Sequence, residues 1–190
     1  MFQVHEDDLQ YLLESAGQPV LINDTPMNVI VTNPSISEYE ERYIHSLDKV
    51  SRGDIVTLED EQYLCLSESI IKRHGKYKVL ARHMNVTIEI PGEETRIVIG
   101  HTPFGDPIFD YRYGEPSYIK AIVDNKSFSV DESASIRLPN NQTEVIVKDN
   151  ELNRGKFRVN NQVNAIAKRW KVINQDLSKN GLLILTCELG

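Results

Sequence analysis

Five histidines, two cysteines and several carboxylate clusters are the side chains from which this sequence could build chemistry. His5, His45, His74, His83 and His101 contain no His-Glu-x-x-His run and no pair spaced as in a structural zinc site. His74 and His83 each follow an arginine, and an adjacent cation opposes metal binding. Cys65 and Cys187 sit in apolar, strand-like runs with no cue for thiolate formation, and read as buried, reduced thiols. The carboxylates of Asp7-Asp8, Glu40-Glu41, Glu59-Asp60-Glu61 and Glu93-Glu94 fall where a helix start or a solvated turn would put them, with nothing to fix a catalytic separation. Ser67 and Ser69 lie outside any Gly-x-Ser-x-Gly elbow, and no glycine-rich phosphate loop is present. The residues therefore predict no catalytic group, no cofactor and no metal, and a protein that is not an enzyme.

The elements that would position these side chains are mostly strands. The chain has 190 residues, enough to bury a real core without disulfide or metal staples. It is 40% hydrophobic and 26% charged, which excludes collagen-like and strongly disordered classes. A net charge of −7 disfavours sequence-blind nucleic-acid binding, which needs surplus cations. The longest apolar runs, such as Leu182-Leu183-Ile184-Leu185, fall far short of a membrane span. The acidic start, Met1 to Asp8, has no secretory pattern, so synthesis and retention in a cytosol are expected.

Helical periodicity is clear only at the start, where Val4, Leu9, Leu12 and Leu13 share a side before Gly17 and Pro19 end the run. Strands are predicted at 19–22 and 27–32, separated by a turn at Asn23-Asp24. Residues 35–50 read as a short helix or an ordered loop. Residues 53–67 read as a hairpin about the acidic turn Glu59-Asp60-Glu61, and 76–90 as a further strand run. Residues 100–117 cluster Gly and Pro with Phe104, Phe109, Tyr111 and Tyr113, as an interdomain stretch or a loop closed by its own aromatics would. Further strands are predicted at 118–123, 143–147, 157–159, 169–173 and 182–186. The fold class that follows is mainly β: a small β-barrel with a short N-terminal helix, then a second β-rich barrel or sandwich. The expected division is 1–100, a connecting segment at 101–117, and 118–190. Trp170, the one tryptophan, is expected in the core.

The run from Arg52-Gly53-Asp54-Ile55-Val56 through Gln62-Tyr63-Leu64-Cys65-Leu66 to the basic turn Lys72-Arg73-His74-Gly75-Lys76-Tyr77-Lys78 and the strand ending Arg82-His83-Met84-Asn85 resembles small β-barrel proteins of the neck of tailed bacteriophages. The C-terminal Arg169 to Asp176 and Gly181 to Thr186 resemble the terminal hairpin of similar phage proteins. The resemblance covers roughly 17–90 and 157–189, and its closest class is the head-closure, or stopper, protein of the head-to-tail connector. It implies a virion protein made in the host cytoplasm and forming a homo-oligomeric ring below the portal–adaptor complex. Such a ring retains packaged double-stranded DNA, lets it pass without specific binding, and presents a docking surface to the tail.

The family's plug is a loop in the channel. Loop length and negative charge, rather than a matched motif, make Glu38, Tyr39, Glu40, Glu41 and Tyr43 the candidate here. Candidate intersubunit contacts pair the cations Lys72, Arg73, Lys76 and Lys78 with Glu59, Asp60 and Glu61, or with Glu93-Glu94, of the next copy. The alternatives are a tail-tube, tail-terminator or baseplate component; a carbohydrate-binding sandwich with Trp170 and the 104–113 aromatics as its platform; and a small hydrolase using Asp54 or Asp106.

Overall fold

The computed structural model describes residues 6–36, 39–71, 76–125 and 142–190. Helix α1 (Glu6–Ala16) leads into β1 (Gln18–Ile22), β2 (Thr25–Thr32), β3 (Glu41–Ser46), β4 (Ile55–Leu58), β5 (Glu61–Cys65), β6 (Ile70–Ile71) and β7 (Tyr77–His83). Antiparallel pairing in the order β1-β2-β3-β7-β5-β4, with β4 returning to β1, closes a six-stranded barrel, and β6 adds to β7 at its rim. Its interior is filled by Val20, Ile22, Val29, Ile44, Val50, Val56, Tyr63, Cys65, Val79 and Ala81. The helix docks on its own barrel: Leu13 is buried, and the Asn28 side-chain amide of β2 donates to the Leu13 carbonyl at 2.5 Å.

The second barrel comprises β8 (Val86–Ile90), β11 (Ser117–Asn125), β12 (Gln142–Lys148), β13 (Gln162–Ala165), β14 (Lys168–Asp176) and β15 (Leu182–Leu189), closed in the order β11-β12-β15-β14-β13-β8. Between β8 and β11 the chain leaves the wall as a two-stranded ribbon, β9 (Glu94–His101) and β10 (Pro107–Tyr113). The sequence division at residue 100 thus differs from the strand pairing. The first barrel ends with β7, β8 already belongs to the second, and only Met84-Asn85 connects them.

Three local expectations are corrected. The 35–50 stretch contains a strand, β3. Its alternation is hard to read because only Ile44 and Ser46 are buried, and the Ser46 hydroxyl is satisfied by donating to the Asp48 carbonyl at 2.6 Å. The 100–117 stretch is half ribbon. Residues 157–159 are not a strand: the six-residue helix α2 (Glu151–Lys156) ends at Phe157, which is fully buried in the second core. Asn150 caps that helix by accepting from the Asn153 N–H at 2.7 Å. Trp170 is buried as expected, its indole N–H donating to the Ala165 carbonyl at 2.9 Å.

The two barrels share a third apolar layer. In β5, Tyr63 and Cys65 point into the first core, while Leu64 points the opposite way and is still fully buried. It meets Ile122, Ile146, Leu182 and Ile184 from the outer wall of the second barrel, with Met84 of the connection. The run Leu182-Leu183-Ile184-Leu185 is apolar on both faces for this reason: alternate residues fill the second core and the joint. Polar groups finish the joint. The Asn85 side chain accepts from the Val123 N–H at 2.9 Å and donates to the Val123 carbonyl at 3.1 Å. Lys148 of β12 donates to Asn23 at 2.7 Å, in the turn between β1 and β2.

Candidate functional site

Three surface features hold the polar and exposed apolar groups of interest. The first is an acid–imidazole cluster at one end of the first barrel. The His83 ring lies 2.7 Å from Glu61 Oε2 through Nε2 and 3.5 Å from Glu40 Oε2 through Nδ1. Glu40 Oε1 accepts from the Tyr63 hydroxyl and from Arg42, both at 3.0 Å. The hydrogen bond from His83 holds the Glu61 carboxyl below the usual carboxylate range, and burial, then the Glu40 hydrogen bond, pushes the Tyr63 phenol up. Each of these groups has a partner in the others. The arrangement can share a proton between imidazole and carboxylate, and it ties β3, β5 and β7 together at their ends.

Of the predicted channel loop, this cluster takes up Glu40. Glu41 and Tyr43 lie in β3, in the barrel wall, and not on a projecting loop. The Lys78 ammonium sits 3.4 Å from the centre of the Tyr43 ring, and the Arg82 guanidinium 3.6 Å from that of Tyr39. Glu38 lies outside the described residues. So do Lys72 and Arg73 of the predicted intersubunit contact; Lys76 is half-buried just before β7, and Lys78 is engaged with its own barrel. On the acidic side Glu59 and Asp60 form a tight turn with φ of 50° and 69°, and Glu61 faces His83.

Arg82 is also the strongest polar link across the joint. Its Nη1 and Nη2 donate to Asp124 Oδ2 and Oδ1 at 2.8 and 2.5 Å, a bidentate pair between β7 and β11. The side chains are 11% and 26% exposed, so Arg82→Leu leaves a largely shielded carboxylate without its main donor. The expected cost is about 1–3 kcal/mol in urea unfolding. A change under about 0.5 kcal/mol would class the pair with ordinary surface ion pairs.

Of the residues weighed for hydrolysis or sugar binding, Asp54 and Trp170 are engaged within the fold, while Phe104, Tyr111 and Tyr113 stay exposed. Asp54 accepts from the Asn23 amide at 2.7 Å and from the Ser51 N–H at 2.7 Å, holding a loop. Asp106 lies in the tip turn of the ribbon, and the burial of Trp170 removes it from any sugar platform. Both cysteines are free and buried, each in a different core, and burial pushes the Cys187 thiol up to about 11. Among the described residues no three His, Cys, Asp or Glu side chains are grouped to hold a metal ion, and no helix is long and apolar enough to cross a membrane.

The second feature is the β9–β10 ribbon. Register sets Tyr113, Tyr111 and Phe109 opposite Glu94, Arg96 and Val98 on one face, and Asp110 and Arg112 opposite Ile97 and Thr95 on the other. Arg96 stacks on Phe109, 3.6 Å from its ring centre. Ile99, Tyr113 at the base and Phe104 at the tip are 62%, 68% and 94% exposed. At the base, Gly92 and Gly114 meet backbone to backbone: a Cβ on Gly92 would stand 2.1 Å from the Gly114 carbonyl oxygen.

The third feature is a cationic stretch that the sequence reading passed over. Residues 152–171 contain Arg154, Lys156, Arg158, Lys168, Arg169 and Lys171 and no carboxylate, in a chain of net −7. That count was a signal available in the sequence. Backbone bonds from Asn160 N–H to the Val172 carbonyl and from Val172 N–H to the Asn161 carbonyl, at 2.8 and 3.0 Å, bring the end of α2 beside β14. Because Trp170 and Val172 point inward, Arg169 and Lys171 point out. Arg154 is held by Asp149, whose carboxyl it keeps below the usual range.

Fold and surface together define a class: a mainly β protein of two joined closed barrels, bearing a two-stranded arm. The chain belongs to the YomX family. The family model of the YomX N-terminal domain matches residues 1–83 and that of the YomX C-terminal domain matches residues 86–188, so the limit between them falls on the Met84-Asn85 connection. The family is phage-derived, in keeping with the phage resemblance of the sequence. No curated protein and no solved structure matches the chain.

Proposed function

We propose that this chain is a structural subunit of a tailed-phage virion, forming a ring in the head-to-tail connector that closes the DNA exit channel and receives the tail. The observation that carries the reading is the ribbon. A two-stranded ribbon with aromatic and aliphatic side chains open to water is marginally stable alone and gains by being covered. Here it stands on two barrels joined by a buried apolar layer, a rigid base for contact with other subunits. The phage-derived family supplies the setting. The net charge of −7 suits a passage that must not retain DNA phosphates. Its partners in this reading are further copies of itself, the portal–adaptor complex above and tail proteins below.

The test is to purify particles of a phage encoding the chain, locate the protein in them by cryo-electron microscopy, and delete its gene. The expected result is a ring at the neck, and a deletion strain that makes tails and heads that do not join. A ring found within the tail would move the protein to the tail-tube or terminator class. Absence from particles would sink the reading.

A further inference from the structure

We infer that the β9–β10 ribbon of one copy docks on the cationic 152–171 face of a second copy. The inference deepens the ring reading and rests on it only for the repeated, head-to-tail character of the contact.

Charge is the first argument. Between Glu93 and Glu115 the ribbon carries five carboxylates, Glu93, Glu94, Asp106, Asp110 and Glu115, and two guanidinium groups, Arg96 and Arg112, for a net −3. The receiving stretch carries six cations and no carboxylate; Arg154 is paired with Asp149, and Glu188 of β15 stands opposite Lys171 in register. Opposite fields of this kind orient an encounter and fix its register.

Apolar surface is the second. The ribbon's Val98, Tyr111 and Tyr113 are exposed on one face, and Ile166, Val159 and Leu189 are exposed around the cationic stretch. Ile166 is the more telling because it also bears strain. It and Ala167 form the β13–β14 turn with φ of 52° and 54°. A turn of this hand is usually given to Asn-Gly, and a β-branched residue there is an outlier. A strained, exposed isoleucine at a turn is the kind of outlier from which a functional contact is argued.

The partner is another copy, because the ribbon does not cover this face in its own chain. Its root at Ile90 and Ser117 lies beside β13, yet its side chains stay open to water on both faces. A ribbon leaving one copy and a face on the next make a heterologous contact, which closes into a ring when the rotation closes.

Charge exchange tests this on the full-length protein. Sedimentation velocity would be run at low and moderate salt on the unaltered chain, on Glu94→Lys/Glu115→Lys, which takes the ribbon from −3 to +1, on Arg158→Glu/Lys168→Glu/Arg169→Glu, which takes the face from +5 to −1 with Arg154 neutralised by Asp149, and on an equimolar mixture of the two variants. All five altered positions are surface side chains, and circular dichroism checks that each variant is folded. The expected result is self-association of the unaltered chain, weakened by about tenfold or more in each variant alone and more strongly at higher salt. The mixture should regain association, because the reversed ribbon of one variant then meets the reversed face of the other. A chain that stays monomeric at high concentration, or association that neither variant weakens, overturns the inference. So does failure of the mixture to regain what both variants lost, or a cationic face that binds duplex DNA while the chain does not self-associate. Presence in virions is read separately: particles that contain the protein while this contact fails leave the ring reading standing with a different interface.

Discussion

Gly181→Ala is expected to destabilise the protein by about 2–5 kcal/mol, with roughly 1–2 from forcing an L residue into a left-handed conformation and roughly 1–3 from separating packed atoms. The position lies where the two barrels touch through bare backbone. Gly53 and Gly181 have φ of 86° and 88°. A Cβ on Gly181 would stand 2.2 Å from the Arg52 carbonyl oxygen, and one on Gly53 2.1 Å from that of Gly181. Neither turn is free to retreat. The Gly53 N–H donates to the Cys65 carbonyl at 2.8 Å, and the Gly181 carbonyl accepts from the Asp149 N–H at 3.0 Å. Urea unfolding of Gly181→Ala and Gly53→Ala measures the effect. A loss below about 0.5 kcal/mol for both would mean that the backbones do not approach this closely.

Leu64→Ala is expected to cost about 2–5 kcal/mol, the usual range for a buried leucine truncated in a packed site. Its diagnostic value lies in where the loss is read. Leu64 belongs to β5 of the first barrel and packs against Ile122, Ile146, Leu182 and Ile184 of the second. Trp170, the only tryptophan, lies in the second core. If the joint couples the barrels into one cooperative unit, truncating Leu64 lowers the midpoint of the Trp170 fluorescence transition together with that of the far-ultraviolet circular dichroism. A Trp170 transition that does not move would mean that the barrels unfold independently.

Much of the wall was legible because alternation and turn chemistry agree locally. The turns at Asn23-Asp24 and Glu59-Asp60 have the positive φ their positions demand, and the strands beside them are those expected. The joint was not legible. Leu64, Ile146 and Ile184 are outward-facing wall residues, and a sequence cannot say that another barrel covers them. Strand β3 was hidden by its polar alternation, and α2 by Phe157, whose apolar neighbours resemble a strand although it ends a helix. The family matches at 1–83 and 86–188 and the pairing of β8 agree on a boundary that composition had drawn at residue 100. Of the site residues, Tyr39, Glu40 and Tyr43 follow from the length and charge of the 35–50 stretch read as a loop. Their ring and ion-pair partners come from β5 and β7, distant in sequence.

The closure of the second barrel has a mechanical consequence. β8 is bonded to β11 over five register pairs, from Ser117↔Ile90 to Ala121↔Val86, but meets β13 through Asn164↔Glu89 alone. The ribbon leaves the barrel from the ends of β8 and β11. A pull along it loads those two strands in shear, where five pairs resist together, while a single pair holds the seam to β13. The cylinder therefore has a built-in parting line next to its handle, and tension on the arm would open the wall there before it disturbed the joint to the first barrel.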